Sequence, residues 1–187
     1  MDHLLSPLSG NMEFTGIPFS ILSEPMAIFQ SQNIALPKNP IRAVLVVSVP
    51  NAKSVYILMG GAYISKSLNG QQVGNIVLGF DNGETFTKDL IAGQNIRENW
   101  GYLSPPENPA DDQDITSMDA SNASADWQNV YYENQIRGGK AALGYVDMLT
   151  IPVPDNDRKS TLTAITINDT VYDPSILIYA ITISTFK

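Results

Sequence analysis

With 187 residues, 43% of them hydrophobic, the chain is long enough to bury one core. Its 19 acidic against 11 basic residues leave a formal charge of -8, a field that repels nucleic-acid phosphates and anionic membrane surfaces. Cysteine is absent and His3 is the single histidine, which excludes a disulfide framework, a thiol nucleophile, a thiolate zinc site, a histidine-based triad and a multi-histidine metal centre.

No run approaches the roughly 20 apolar residues of a membrane span. The opening Met1–Pro7 has neither the basic start nor the apolar core of a signal peptide. A soluble chain is expected, without nucleic acid as a partner, without membrane insertion and without an export signal of its own.

Residues 1–13 are expected to form a flexible terminal segment. Beyond them come runs rich in Val, Ile, Leu, Thr and aromatics: Ile41–Val49, Ser54–Met59, Gly74–Phe80, Thr85–Ile91, Tyr145–Val153, Thr161–Ile167 and Ile176–Thr185. Gly, Pro, Asn and Asp separate them, which is the pattern of strands joined by turns. Asp81-Asn82-Gly83 marks a hairpin, because Asn-Gly readily takes the positive φ of a tight turn. Pro50-Asn51-Ala52 and Pro154-Asp155-Asn156-Asp157 mark further turns, and Pro152 marks an edge or a strand end. In Thr161–Ile167 strict alternation puts Leu162 and Ala164 on one face and Ile165 and Ile167 on the other. In the last run it puts Leu177, Tyr179, Ile181 and Ile183 on one apolar face, with Thr182 and Ser184 opposite.

No long stretch of helical period interrupts these runs. Gly101–Asn129, rich in Asp, Asn, Ser and Pro, reads as a long polar loop. The pattern predicts an all-β chain: a single jelly-roll-type antiparallel β-sandwich domain over residues 14–187, with its long loop at about 101–129.

Five segments carry a resemblance: Phe14–Leu22, Ala52–Tyr63, Val73–Gly83, Gly93–Trp100 and Gly144–Pro152. In this order they resemble the galactose-binding-like jelly-roll modules appended to bacterial glycoside hydrolases and other large secreted proteins. The resemblance implies a lectin-like, carbohydrate-binding role with a glycan or polysaccharide as partner. It also implies an extracellular module attached to a larger enzyme or assembly, and it leaves room for a structural calcium. None of the matching segments is a catalytic signature, so the resemblance bears on architecture more than on activity.

Sugar recognition on a sandwich needs an aromatic platform for the apolar face of a pyranose, with amide, carboxylate or guanidinium groups beside it for the hydroxyls. Gln94, Asn95, Arg97, Glu98, Asn99, Trp100 and Tyr102 bring both chemistries into nine positions. In the competing reading Trp100 caps the core and Arg97 ties a loop by an ion pair. A second group is Trp127, Tyr131, Tyr132, Asn134, Gln135 and Arg137. Tyr131 and Tyr132 are adjacent, so in an extended segment one turns inward and the other outward. The alternative is that these aromatics pin the long loop to the sandwich.

Asp111, Asp112, Asp114 and Asp119 offer the oxygen ligands that calcium takes, although their spacing is not that of an EF-hand and a solvated acidic loop explains them as well. Glu98 with Asp126, or Glu133 with Asp147, are conceivable glycosidase pairs whose separation a sequence cannot give. Asp147 sits within an apolar strand pattern, where a carboxylate is also explained by structure alone. Gly60-Gly61 and Gly138-Gly139 lack the Lys and Ser/Thr of a phosphate loop.

The leading expectation is a non-catalytic carbohydrate-binding module that needs no cofactor. Its ligand residues would be Asn95, Arg97, Trp100, Tyr102, Trp127, Tyr131, Tyr132 and Arg137, with Asp111, Asp112 and Asp114 as calcium ligands if calcium is bound. The alternatives are a structural or protein-interaction sandwich serving assembly or adhesion, and a polysaccharide hydrolase or lyase.

Overall fold

A computed structural model describes residues 8–21, 26–29, 41–102, 123–137, 140–171 and 174–186. Twelve strands run through them. They are β1 (Gly10–Phe14), β2 (Ile17–Ile21), β3 (Met26–Phe29), β4 (Arg42–Pro50), β5 (Ala52–Ala62), β6 (Gln72–Phe80), β7 (Thr85–Ile91), β8 (Trp100–Tyr102), β9 (Trp127–Arg137), β10 (Lys140–Pro152), β11 (Thr161–Asp169) and β12 (Ser175–Thr185). Every pairing between them is antiparallel.

One sheet runs β3-β12-β5-β10, with β8 and β9 both added to β10, and the other runs β4-β11-β6-β7. Apart from β8 and β9, consecutive strands from β3 onward cross from sheet to sheet at every connection except the β6–β7 hairpin. That wrapping order is the jelly roll. The chain is therefore an all-β, antiparallel, jelly-roll sandwich.

The larger sheet is buried on both faces. Toward the smaller sheet it presents Val55, Ile57, Met59, Leu149, Ile151, Ile176 and Ile178, which pack with Ile76, Leu78, Leu90, Leu162, Ile165 and Ile167. Its other face presents Leu58, Val146, Met148, Leu177 and Tyr179, covered by Leu8, Phe14, Phe19 and Ile21 of the β1–β2 hairpin and the residues before it. Burial on both faces explains why β5 and β12 read as nearly continuous apolar runs. It also corrects the expected boundary at Phe14: Leu8 is buried and Gly10–Glu13 pair with β2, so the fold already includes this segment.

One-residue bulges set which side chains enter which layer, and three of them bear on the expected strand faces and on the site. Against β6, Thr163 is an extra residue, so Leu162 joins Ile165 and Ile167 in the inter-sheet core and Ala164 turns away. Against β5, Tyr179 is an extra residue, so Leu177 and Tyr179 face the hairpin while Ile181 and Ile183 pack on the inter-sheet core. Strict alternation mispredicts both strands, because each bulge flips every later side chain to the other face. The third, at Val130 of β9, shapes the candidate site.

Turns follow the sequence more closely. Phe80 to Glu84 closes the β6–β7 hairpin, with Gly83 at φ 85. Asn51, at φ 53, turns the chain from β4 into β5. Pro152 is the last residue of β10, and Asp155–Asp157 form a 3-10 turn. Gly101, Tyr102 and residues 127–129, expected within the long loop, are strand, while residues 103–122 of that loop lie outside the described residues.

Candidate functional site

The site forms where β10 changes neighbours. From Pro152 back to Asp147 it pairs with β5, and from Gly144 to Ala142 it pairs with β8. At the fork between them lies Arg97–Asn99. Gly61 N–H donates to Arg97 O at 2.9 Å, Asn99 N–H to Gly61 O at 2.7 Å, and Tyr145 N–H to Asn99 O at 2.6 Å. Gly60-Gly61 makes this wedge possible. A Cβ on Gly60 would stand 2.9 Å from Asn99 Cβ, and one on Gly61 would stand 2.4 Å from Ile64 Cγ1 and 2.9 Å from Arg97 O. The glycine pair therefore serves close backbone approach.

The wedge carries Arg97 into the fold, where it is 6% exposed. Its Nε donates to Asp147 Oδ2 at 2.9 Å and its Nη2 to Asp147 Oδ1 at 2.8 Å. Asn129 Nδ2 adds a third bond to Asp147 Oδ1 at 3.0 Å. The guanidinium lies 4.2 Å from the centre of the Tyr145 ring and 5.2 Å from that of Trp127. Both are within the roughly 6 Å at which a cation is drawn to an aromatic face. Arg97 thus holds two aromatic rings, one from each strand of the β9–β10 pair, in fixed positions.

Tyr132 extends this group. It stands directly opposite Tyr145 in the β9–β10 register, so both belong to the same face of the pair, and it is 67% exposed. Trp127 and Tyr145 are partly exposed on that face. Trp127 Nε1 is buried and has no hydrogen-bond partner among the described residues. The result is an aromatic strip, Trp127, Tyr145 and Tyr132, fixed beneath by the Arg97–Asp147 pair and open to solvent at Tyr132.

The Val130 bulge sends Tyr131 to the opposite face. There its ring meets Phe14 edge-on at 6.5 Å, and its hydroxyl donates to Glu133 Oε2 at 3.1 Å. Burial, then the bond to Glu133, then the charge of that carboxylate raise its pKa. Deeper on this face, Asn99 Nδ2 donates to the Tyr179 hydroxyl at 3.4 Å. Burial of Tyr179, with the charges of Glu98, Asp147 and Glu133, outweighs that bond and pushes its pKa up to about 12.

Of the expected ligand residues, the structure brings Arg97, Trp127 and Tyr132 together, with Tyr145, which sequence reasoning placed in a strand without a role. The Val130 bulge and the strand-to-strand register join Tyr145 to the group, and neither is visible in local sequence. Asn95 is 3% exposed and closes the end of β7. Its Oδ1 accepts from Ile91 N–H at 2.7 Å and its Nδ2 donates to Asp89 O at 2.9 Å. Trp100, Tyr102 and Arg137 pair through the backbone with Gly144, Ala142 and Lys140. Asp111, Asp112 and Asp114 lie outside the described residues. Among the described residues, no group of three His, Asp or Glu side chains is placed to hold a metal ion.

The carboxylates considered for hydrolysis have internal partners. Glu98 is 1% exposed and accepts from Ile64 N–H at 3.0 Å, Asp147 holds Arg97, Glu133 accepts from Tyr131, and Asp126 is bonded to Lys88 and Ser124. Comparison with protein-family models, with curated proteins and with solved structures gives no match.

Proposed function

We propose that the chain is a non-catalytic carbohydrate-binding module, and that the aromatic strip of β9 and β10 is its platform. The observation that carries this reading is the exposed Tyr132 ring opposite Tyr145, on a face held by buried Arg97. A ring held by a rigid sheet loses little freedom when a sugar packs on it, so most of the contact energy is kept as affinity. A pyranose laid along the strip would cover apolar C–H groups with ring faces and leave its hydroxyls to the polar rim, where Asn129, opposite Asp147 on the same face, is exposed.

The internal engagement of Glu98, Asp126, Glu133 and Asp147 favours binding over hydrolysis in this reading. Affinity electrophoresis in gels containing soluble polysaccharides, with depletion assays on insoluble ones, tests it. At least one polysaccharide should retard the wild type, and Tyr132→Ala should migrate as it does in an empty gel. Equal retardation of both proteins would move the site elsewhere.

A further inference from the structure

β4 is an edge of the smaller sheet. Among the described residues it pairs with β11 on one side and with no strand on the other. An open edge offers a row of backbone N–H and C=O groups that a further strand can join.

Of the other outer strands in the two sheets, β3 and β8 are only four and three residues long, and β7 and β9 carry charge. β7 carries Lys88 and Asp89, with Lys88 bonded to Asp126 just before β9, and β9 carries Glu133 and Arg137. β4 has no charged residue from Ala43 to Val49. Its inward row, Ala43, Leu45, Val47 and Val49, packs on the core, whereas Val44 and Val46 stand 50% and 86% exposed. The ladder to β11 shifts between Val46 and Val49, yet the side chains of β4 alternate without interruption from Arg42 to Pro50, so the open edge stays regular.

We propose that β4 is an interface between two copies of this chain, paired antiparallel about a twofold axis at Val46. Val46 is the middle residue of the strand, so pairing centred there uses its whole length. Val44 meets Ser48, Leu45 meets Val47, and Val46 meets its own counterpart. Each Arg42 lies opposite Pro50, at opposite ends of the seam, so the two like charges stay far apart. Pro50, which cannot donate, falls where the ladder ends. The two small sheets become one, and the exposed valines form a continuous row across it. A second copy answers both the unpaired backbone and the apolar row, and no charged side chain lies within Ala43–Val49 of either strand of the seam.

This interface uses none of the residues of the aromatic strip, so it stands or falls apart from sugar binding. The chain has no cysteine, so Val46→Cys introduces one thiol, on the proposed axis. Facing Cα atoms in an antiparallel pair lie about 4.5–5.5 Å apart, within the roughly 4.4–6.8 Å that a disulfide spans.

Under mild oxidation, Val46→Cys is expected to form a covalent dimer at least tenfold faster than Thr87→Cys, an exposed control on β7. By light scattering, the wild type is expected to pass from monomer to dimer mass across the micromolar range. Val46→Lys, with an unchanged circular dichroism spectrum, is expected to remain monomeric. A wild type that stays monomeric, a dimer that survives Val46→Lys, or equal cross-linking of the two cysteine variants overturns the proposal.

Discussion

Arg97 and Asp147 meet through two parallel bonds of 2.9 and 2.8 Å, at the point where β10 leaves β5 and takes up β8. Both residues are nearly sealed from water, at 6% and 2% exposure. A buried pair of this kind adds modest net stability, but its halves are costly to separate. Asp147→Ala, which leaves the guanidinium without its carboxylate, is expected to destabilise the protein by about 3–5 kcal/mol in urea unfolding. Adding Arg97→Met should recover part of that loss, because the stranded charge goes with it. A double variant less stable than Asp147→Ala would show that the pair is not the source of the cost.

Gly61→Ala tests the wedge. Its Cβ would fall 2.4 Å from Ile64 Cγ1 and 2.9 Å from Arg97 O, so either β5 or the Arg97–Asn99 segment must move. Overpacking of this kind costs about 1–3 kcal/mol and sometimes more. The expected result is a urea midpoint lowered accordingly, with a changed Trp127 fluorescence because Arg97 is displaced from its ring. Gly83→Ala, at a surface turn with nothing within 4 Å of the added Cβ but with φ at 85, should cost only the backbone strain of about 1 kcal/mol.

The seven apolar runs, the β6–β7 hairpin and the Pro50–Ala52 turn were legible because each depends on local chemistry: side-chain alternation, a glycine at positive φ, a proline at a strand end. The β1–β2 hairpin was not, since its Phe14, Phe19 and Ile21 are apolar only in answer to a sheet face distant in sequence. The layers of β11 and β12 were misjudged for a related reason. A bulge at Thr163 or Tyr179 is one residue of pairing mismatch, and no residue type announces it. At the site, the competing reading of Arg97 as the partner of an ion pair describes its observed contacts, while the opposite orientations of Tyr131 and Tyr132 followed from adjacency alone.

That difference between neighbours gives a paired prediction. Tyr131→Ala removes a ring packed on Phe14 and should cost about 1–2 kcal/mol in thermal or urea unfolding. Tyr132→Ala, at a position 67% exposed, should stay within about 0.5 kcal/mol of the wild type. If the two variants lose equal stability, the Val130 bulge does not orient the tyrosines as described.

Tyr179 ties stability to alkaline pH. In the unfolded chain its phenol titrates near 10, and in the fold burial holds it neutral up to about 12. Its contribution is therefore whole below pH 10 and is lost as pH rises from 10 to about 12. A shift of this size corresponds to roughly 2–3 kcal/mol. Tyr179→Phe should flatten the fall in unfolding free energy across that window. An unchanged slope in the variant would place the alkaline sensitivity elsewhere.

The most direct test of the carbohydrate-binding reading is a broad glycan array probed side by side with the wild type and Tyr132→Ala, both shown to be folded by circular dichroism. The account predicts selective binding of one class of glycan by the wild type and at least a tenfold loss of that signal in Tyr132→Ala. Absence of binding by the folded wild type, or binding that Tyr132→Ala leaves intact, would contradict it.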